Sequence, residues 1–158
     1  MSASAEKTNV MRVLDSRKIE YTPHYYEADA TLSGTEIAAL LGEETDRVFK
    51  TLVTAGKAGK YYVFVIPVAE ELNLKKAAAA VGEKSVRMIP QKELLPLTGY
   101  VHGGCSPIGM KKAFPTYAHV TAEKLDRMYV SGGKVGCQIE LAPSDLQHLT
   151  KLKFEDLV

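Results

Sequence analysis

Two glycine-rich connections limit what this chain can fold into. The apolar runs Arg47 to Thr54 and Tyr61 to Pro67 flank Ala55-Gly56-Lys57-Ala58-Gly59-Lys60. Arg127 to Ser131 and Val135 to Leu141 meet through Gly132-Gly133-Lys134. Short glycine-bearing connections between strand-like runs are hairpin signals. Two hairpins exclude a strict alternation of strand and helix. The expected architecture is therefore mixed α/β: one curved mixed sheet or partial barrel with helices on its outside.

The remaining elements follow from periodicity and caps. Val10, Met11, Val13 and Leu14 recur at helical spacing within Thr8 to Lys18. Tyr21 to Glu27 is aromatic-rich and strand-like, and Pro23 places it toward an edge. Ser33-Gly34-Thr35-Glu36 fits a capping box. Ile37, Leu40 and Leu41 are expected to form the buried face of its helix, and Gly42 stops it. Asn73 caps a helix to Val81 that Gly82 closes. Ser85 to Ile89 reads as a short strand, and Pro90 suits the first turn of a short helix through Leu95. Near the C-terminus, Tyr117 to Val120 and Leu152 to Phe154 read as strands. Thr121 to Leu125 reads as a helical turn and Pro143 to Leu149 as a short helix.

With 158 residues, 46% hydrophobic and 25% charged, the chain is expected to form one soluble domain, Met1 to Val158. Twenty basic and nineteen acidic side chains give a net charge of +1, which argues against a strong autonomous nucleic-acid binder. A nucleic acid held by a local patch or delivered by another protein stays open. Cys105 and Cys137 are far apart and form no metal-ligand pattern, so a reducing, cytoplasmic setting is the simplest reading. Met1 to Leu14 has no continuous apolar run, so neither a signal peptide nor a membrane anchor is expected.

Two features stand out as candidate chemistry. The first is Gly103-Gly104-Cys105-Ser106-Pro107-Ile108-Gly109-Met110-Lys111-Lys112. Glycine permits positive φ and close approach, while proline stiffens its neighbourhood. The segment reads either as a tight turn or as a stiff loop whose amides meet an anion or oxyanion. The second is Lys50, which alternation places with Val48 and Leu52 on one apolar face of a strand, opposite Phe49, Thr51 and Val53. Such a lysine either snorkels to an edge or has a buried partner, a substrate phosphate or hydroxyl among the options. His24, His102, His119 and His148 are scattered, without metal-ligand spacing. Tyr25 and Tyr26 face opposite ways on one strand. Cys105 tempts as a nucleophile with His102 nearby. The expected role is instead a small apolar side chain packing under the loop, because sequence proximity does not supply the geometry of a cysteine–histidine pair.

Four pieces in order carry a resemblance: Val48 to Leu52, Gly103 to Gly109, Tyr129-Val130-Ser131-Gly132-Gly133-Lys134, and Ile139-Glu140-Leu141. Together they resemble the YbaK/ProX-type aminoacyl-tRNA deacylases over essentially the whole chain. The nearest likeness is to the YbaK/EbsC branch, which removes cysteine from mischarged proline tRNA. The same fold occurs as the editing insertion of bacterial prolyl-tRNA synthetases. The resemblance implies that Lys50, Gly103 and Gly104 serve catalysis. It implies that Tyr26, Thr51, Ser106, Pro107, Gly109, Ser131 and Gln138 bind substrate. No cofactor and no metal are implied. Some members carry an acidic residue where this chain has Gln138; a neutral amide there orients a substrate but is no base.

The implied substrate is an aminoacyl ester on the terminal ribose of tRNA, Cys-tRNA(Pro) first and Cys-tRNA(Cys) as a further one. Prolyl-tRNA synthetase is the implied partner. The residues offer donors and a cation but no evident nucleophile–base pair, which points to substrate-assisted cleavage by the cysteine thiol; attack by water stays open. Two alternatives remain: an Ala-tRNA(Pro) deacylase of the ProX type, and a tRNA-end binding module without catalysis.

Overall fold

A computed structural model describes residues 6–158. The expectation about the extreme N-terminus falls partly on residues 1–5, outside the described range. The elements are α1 (Asn9–Ser16), β1 (Thr22–Tyr25), α2 (Gly34–Leu41), β2 (Phe49–Ala55), β3 (Tyr61–Pro67), α3 (Leu74–Val81) and β4 (Arg87–Met88). They continue with α4 (Leu94–Thr98), β5 (Thr116–His119), β6 (Met128–Ser131), β7 (Cys137–Leu141), α5 (Pro143–Thr150) and β8 (Lys153–Glu155). Short 3-10 turns occupy Lys57–Gly59, Gln91–Glu93 and Val120–Lys124.

The class is mixed α/β as expected, but the strands divide into two sheets. One has the order β1-β7-β6 and the other β4-β2-β3-β5-β8. Both expected hairpins form, β2 with β3 and β6 with β7, each antiparallel. β3 is apolar along its length because both of its faces are covered. Val63 and Val65 enter the main core, while Phe64 and Ile66 enter a second one under α3. All four side chains are 0% exposed, and burial of each contributes roughly 1.5–3 kcal/mol. The core-facing side chains of the small sheet, Met128, Val130, Cys137, Ile139 and Leu141, join the main core.

Caps behave as local chemistry dictates. Ser33 and Glu36 form the reciprocal capping box of α2, and Gly42 ends it with φ 69°. The Asn73 side chain accepts from Lys75 and Lys76 N–H at the start of α3. The buried face of α2 differs from expectation. Ile37 and Ala38 are buried and Leu41 packs beside them, but Leu40 is 59% exposed. A run of consecutive apolar residues exceeds what one helix face can hide.

The two sheets meet at β2. Tyr129 N–H donates to the Arg47 carbonyl at 2.9 Å, within a parallel bridge between Val48 and Tyr129. Farther along the same edge, β4 pairs with Thr54 and Ala55, and Ile89 N–H reaches the Val53 carbonyl at 3.3 Å. Pro90 then ends the ladder, because it lacks an N–H. Among the described residues no strand pairs with 49–52 on that edge.

The glycine-rich loop is fastened at both ends. Asn9 Nδ2 donates to the Gly109 carbonyl at 3.1 Å, and the Tyr100 hydroxyl donates to the Ile108 carbonyl. Gly104 N–H donates to Val101 at 3.0 Å. Gly104 also rests against the β6–β7 turn: a Cβ there would lie 3.0 Å from backbone atoms of Lys134 and Val135. Gly104→Ala is therefore expected to lower stability by roughly 1–3 kcal/mol through overpacking. Urea unfolding of the variant beside the parent chain checks this; an unchanged midpoint would mean the loop is not seated there.

Candidate active site

The unpaired stretch of β2 opens into a cavity of about 240 Å³. Val48, Phe49, Lys50, Thr51 and Leu52 line it in unbroken succession, as expected where a ligand space meets a strand edge rather than one face. The small sheet contributes Ser131 and Gln138, which are directly paired across β6 and β7. The glycine-rich loop contributes His102, Gly103 and Cys105, and α4 contributes Leu94. Leu32, Ser33, Gly34 and Ile37 overhang it from the start of α2, beside Val68. A Cβ on Gly34 would lie 2.6 Å from Val68, so the glycine lets α2 settle this close.

The register explains the polar character of this wall. His24 lies opposite Gln138 and Gln138 opposite Ser131, so the three share one face of the small sheet. Tyr26 extends the same alternation, its N–H donating to Gly136 at 3.0 Å. Farther along this face His24 Nε2 meets Glu140 Oε1 at 2.8 Å. The Tyr129 hydroxyl donates to Glu43 Oε1 at 2.6 Å, tying the end of α2 to the sheet. Burial raises the Glu140 pKa, but His24, the Tyr129 hydroxyl and the Arg127 charge together outweigh it and leave a net lowering. Tyr129 is raised, first by burial and then by the Glu43 bond.

Among the described residues, three buried side-chain atoms have no hydrogen-bond partner: the Tyr26 hydroxyl, Thr51 Oγ1 and Gln138 Oε1. Buried polar atoms are ordinarily paired, so unpaired ones cluster where a ligand or water belongs. Lys50 is half-buried and is the single lysine or arginine among the described lining residues. No carboxylate is among those lining residues.

The structure thus brings together Lys50, Thr51, Gly103, Ser131 and Gln138 from the residues singled out in the sequence. It places the others around them. Gly104 is buried against the β6–β7 turn, and Ser106 is 0% exposed, its Oγ accepting from Ile108 N–H at 3.3 Å. Pro107 and Gly109 line a separate cavity of about 230 Å³ beside Val13 and Leu149. The residues that sequence reasoning missed are Leu32, Ser33, Gly34 and Ile37 at the start of α2, together with Val68 and Leu94. The Ser33 capping box located the helix end, but nothing local announced that it overhangs β2.

Cys105 reaches the cavity while also packing against the main core. Burial pushes its thiol up to about 12, which disfavours the thiolate a nucleophile requires. Relative to an unfolded thiol near ~8.5, a raised folded pKa stabilises the protein fully below that value. The contribution is lost as pH rises toward 12. Iodoacetamide at pH 8 is accordingly expected to alkylate Cys105 about 100-fold or more slowly in the folded chain than in denaturant. Peptide mass spectrometry reads the rate; equally fast labelling in both states would restore Cys105 as a candidate nucleophile.

Comparison with known proteins bears on the family and the fold. Residues 29–149 match the family model described as the aminoacyl-tRNA editing domain. EbsC of Enterococcus faecalis (strain ATCC 700802 / V583), named for deacylation of Cys-tRNA(Pro) and Cys-tRNA(Cys), is 46% identical over 153 residues, 96% of this chain and 93% of that protein. The proline–tRNA ligase of Shouchella clausii (strain KSM-K16) is 30% identical over 101 residues, 64% of this chain and 18% of the ligase. A crystal structure described as a trans-editing enzyme for prolyl tRNA synthetase superposes with a TM-score of 0.82 at 27% identity, covering 99% of this chain and 98% of that one. The chain belongs to the aminoacyl-tRNA editing domain family.

Proposed function

We propose that this chain is a cytoplasmic trans-editing deacylase that removes cysteine from mischarged Cys-tRNA(Pro). The observation that carries the reading is Lys50: one ammonium set on an open strand edge, facing a cavity lined by no carboxylate among the described residues. A cation so placed stabilises the negative charge that develops on an ester carbonyl oxygen under attack. Gly103 also lines the cavity, and in this reading its backbone N–H meets the same oxygen. Tyr26, Thr51, Ser131 and Gln138 orient the aminoacyl end. Gly104, Ser106, Pro107 and Gly109 hold the loop that carries Gly103.

The attacking group in this reading is the substrate's own thiol. Its proton leaves, the sulfur bonds to the carbonyl carbon, and the bond from that carbon to the ribose oxygen breaks. The ribose oxygen takes up a proton, which frees the tRNA. Water then opens the resulting thiolactone to cysteine. Two observations favour this over a protein nucleophile. The Cys105 thiol is held protonated, and no described carboxylate stands in the lining to act as base. The protein then acts chiefly by positioning and electrostatics.

A net charge of +1 suits an editing factor that receives tRNA from a partner rather than capturing it by charge alone. Prolyl-tRNA synthetase is the partner in this reading, given the likeness to proline–tRNA ligases.

Single-turnover deacylation of proline tRNA charged with cysteine, alanine or proline tests the assignment. Cysteine is expected to be removed fastest. Lys50→Ala is expected to slow its removal by about 10²–10³-fold, the scale of one lost oxyanion contact, with an unchanged circular dichroism spectrum. Preference for alanine would move the protein to the alanine-editing branch. Tight tRNA-end binding without any turnover would make it a binding module.

A further inference from the structure

The cavity has a polar side whose acceptors the ester chemistry leaves unassigned. The register of β2 creates it. Lys50 pairs with Ile66 and Leu52 with Phe64, and Val68 N–H donates to the Val48 carbonyl at 2.9 Å. The main-chain groups of the even-numbered residues therefore turn toward β3. Those of the odd-numbered residues turn to the other edge, where the Arg47 carbonyl accepts from Tyr129 and the Val53 carbonyl from Ile89. Between these anchors, alternation directs the Phe49 and Thr51 carbonyls, together with the Thr51 N–H, into the gap that the cavity fills.

Two of the buried, unpartnered side-chain atoms belong to residues that line the same space. Gln138 is only 5% exposed, yet its Oε1 has no hydrogen-bond partner, and neither does Thr51 Oγ1. Both residues line the cavity. Carbonyl and amide oxygens only accept, so a group that satisfies several of them must carry several protons. A ribose hydroxyl offers one. The α-amino group of an aminoacyl ester offers three as an ammonium and two as a free amine.

Building on the deacylase reading, we propose that Gln138 Oε1, Thr51 and the open carbonyls of β2 form a receptor for the α-amino group of the substrate. The enzyme then cleaves esters of amino acids whose α-nitrogen is free. It spares N-acylated esters such as formylated aminoacyl-tRNA and peptidyl-tRNA, whose nitrogen has a single N–H and a bulky substituent. The receptor and Lys50 divide the work: the acceptors hold the nitrogen, and the ammonium of Lys50 faces the carbonyl oxygen.

The experiment compares three esters of proline tRNA with the wild-type chain under single turnover: cysteinyl, N-acetylcysteinyl and 3-mercaptopropionyl, the last lacking the nitrogen. Both altered esters are expected to react at least about 100-fold more slowly, since sites built around hydrogen bonds reject analogues that lack them. Gln138→Leu is expected to bring the cysteinyl and 3-mercaptopropionyl rates close together. Gln138→Glu, which keeps acceptors at that place, is expected to preserve the discrimination. Equal rates for all three esters with the wild-type chain would overturn the proposal and leave the deacylase reading standing. So would a folded Gln138→Leu variant that discriminates as the parent does. Failure to cleave even the cysteinyl ester would remove the deacylase reading and this inference together. The wild-type comparison keeps the test decisive even where a variant does not fold.

Discussion

The site depends on one unfinished ladder. A strand edge in a folded protein is ordinarily paired, covered or blunted, because its N–H and C=O groups need partners. β2 is paired along its whole length on one side by β3. On the other, among the described residues, it is held only toward its ends, by β6 through Val48 and by β4 through Thr54 and Ala55. The open interval is short enough to be roofed by α2 and walled by the glycine-rich loop. Pro90 stops β4 from closing it, and the Gly132–Gly133 turn takes the chain away from β2 after Ser131. Fastenings elsewhere keep the walls in place: Asn9 and Tyr100 on the loop, and Glu43 on Tyr129 at the end of α2.

The electrostatic design follows from what lines this gap. A lysine with a carboxylate close by would be neutralised as a catalytic charge. The described acidic side chains near the small sheet are instead engaged away from the cavity, Glu140 with His24 and Arg127, and Glu43 with Tyr129. In the proposed reading, Lys50 acts on developing negative charge in a partly enclosed space, where one cation is worth more than in water. The acceptors opposite are uncharged oxygens, which can order a donor without cancelling that field.

Much of this was legible locally. The Asn73 and Ser33 caps, the stops at Gly42 and Gly82 and both hairpins follow from single residues acting on their own backbone. Lys50 was legible as a break in the alternation of an apolar strand. The single curved sheet was not a safe reading, because sequence periodicity does not say where two sheets part; that depends on how far β6 and β4 run along β2. Leu40 was placed inward by a pattern that also fits an exposed residue. Thr51, Ser131 and Gln138 came from family resemblance, and their meeting in one cavity rests on cross-strand register. The cavity roof at Leu32–Ile37 was invisible, since it joins residues far apart in the chain by packing alone. Ser106 and Gly104, read as contacts to a ligand, are buried in the loop's own support.

In the proposed reading, the aminoacyl end of the substrate occupies the gap in β2. A crystal structure with a non-hydrolysable analogue, cysteine joined by an amide to 3′-amino-3′-deoxyadenosine, tests it most directly. The predicted result places the cysteinyl group between Thr51 and Gln138, with its carbonyl oxygen toward Lys50 and Gly103. Density for the cysteinyl group outside this gap, for example in the cavity beside Pro107 and Leu149, would contradict the account.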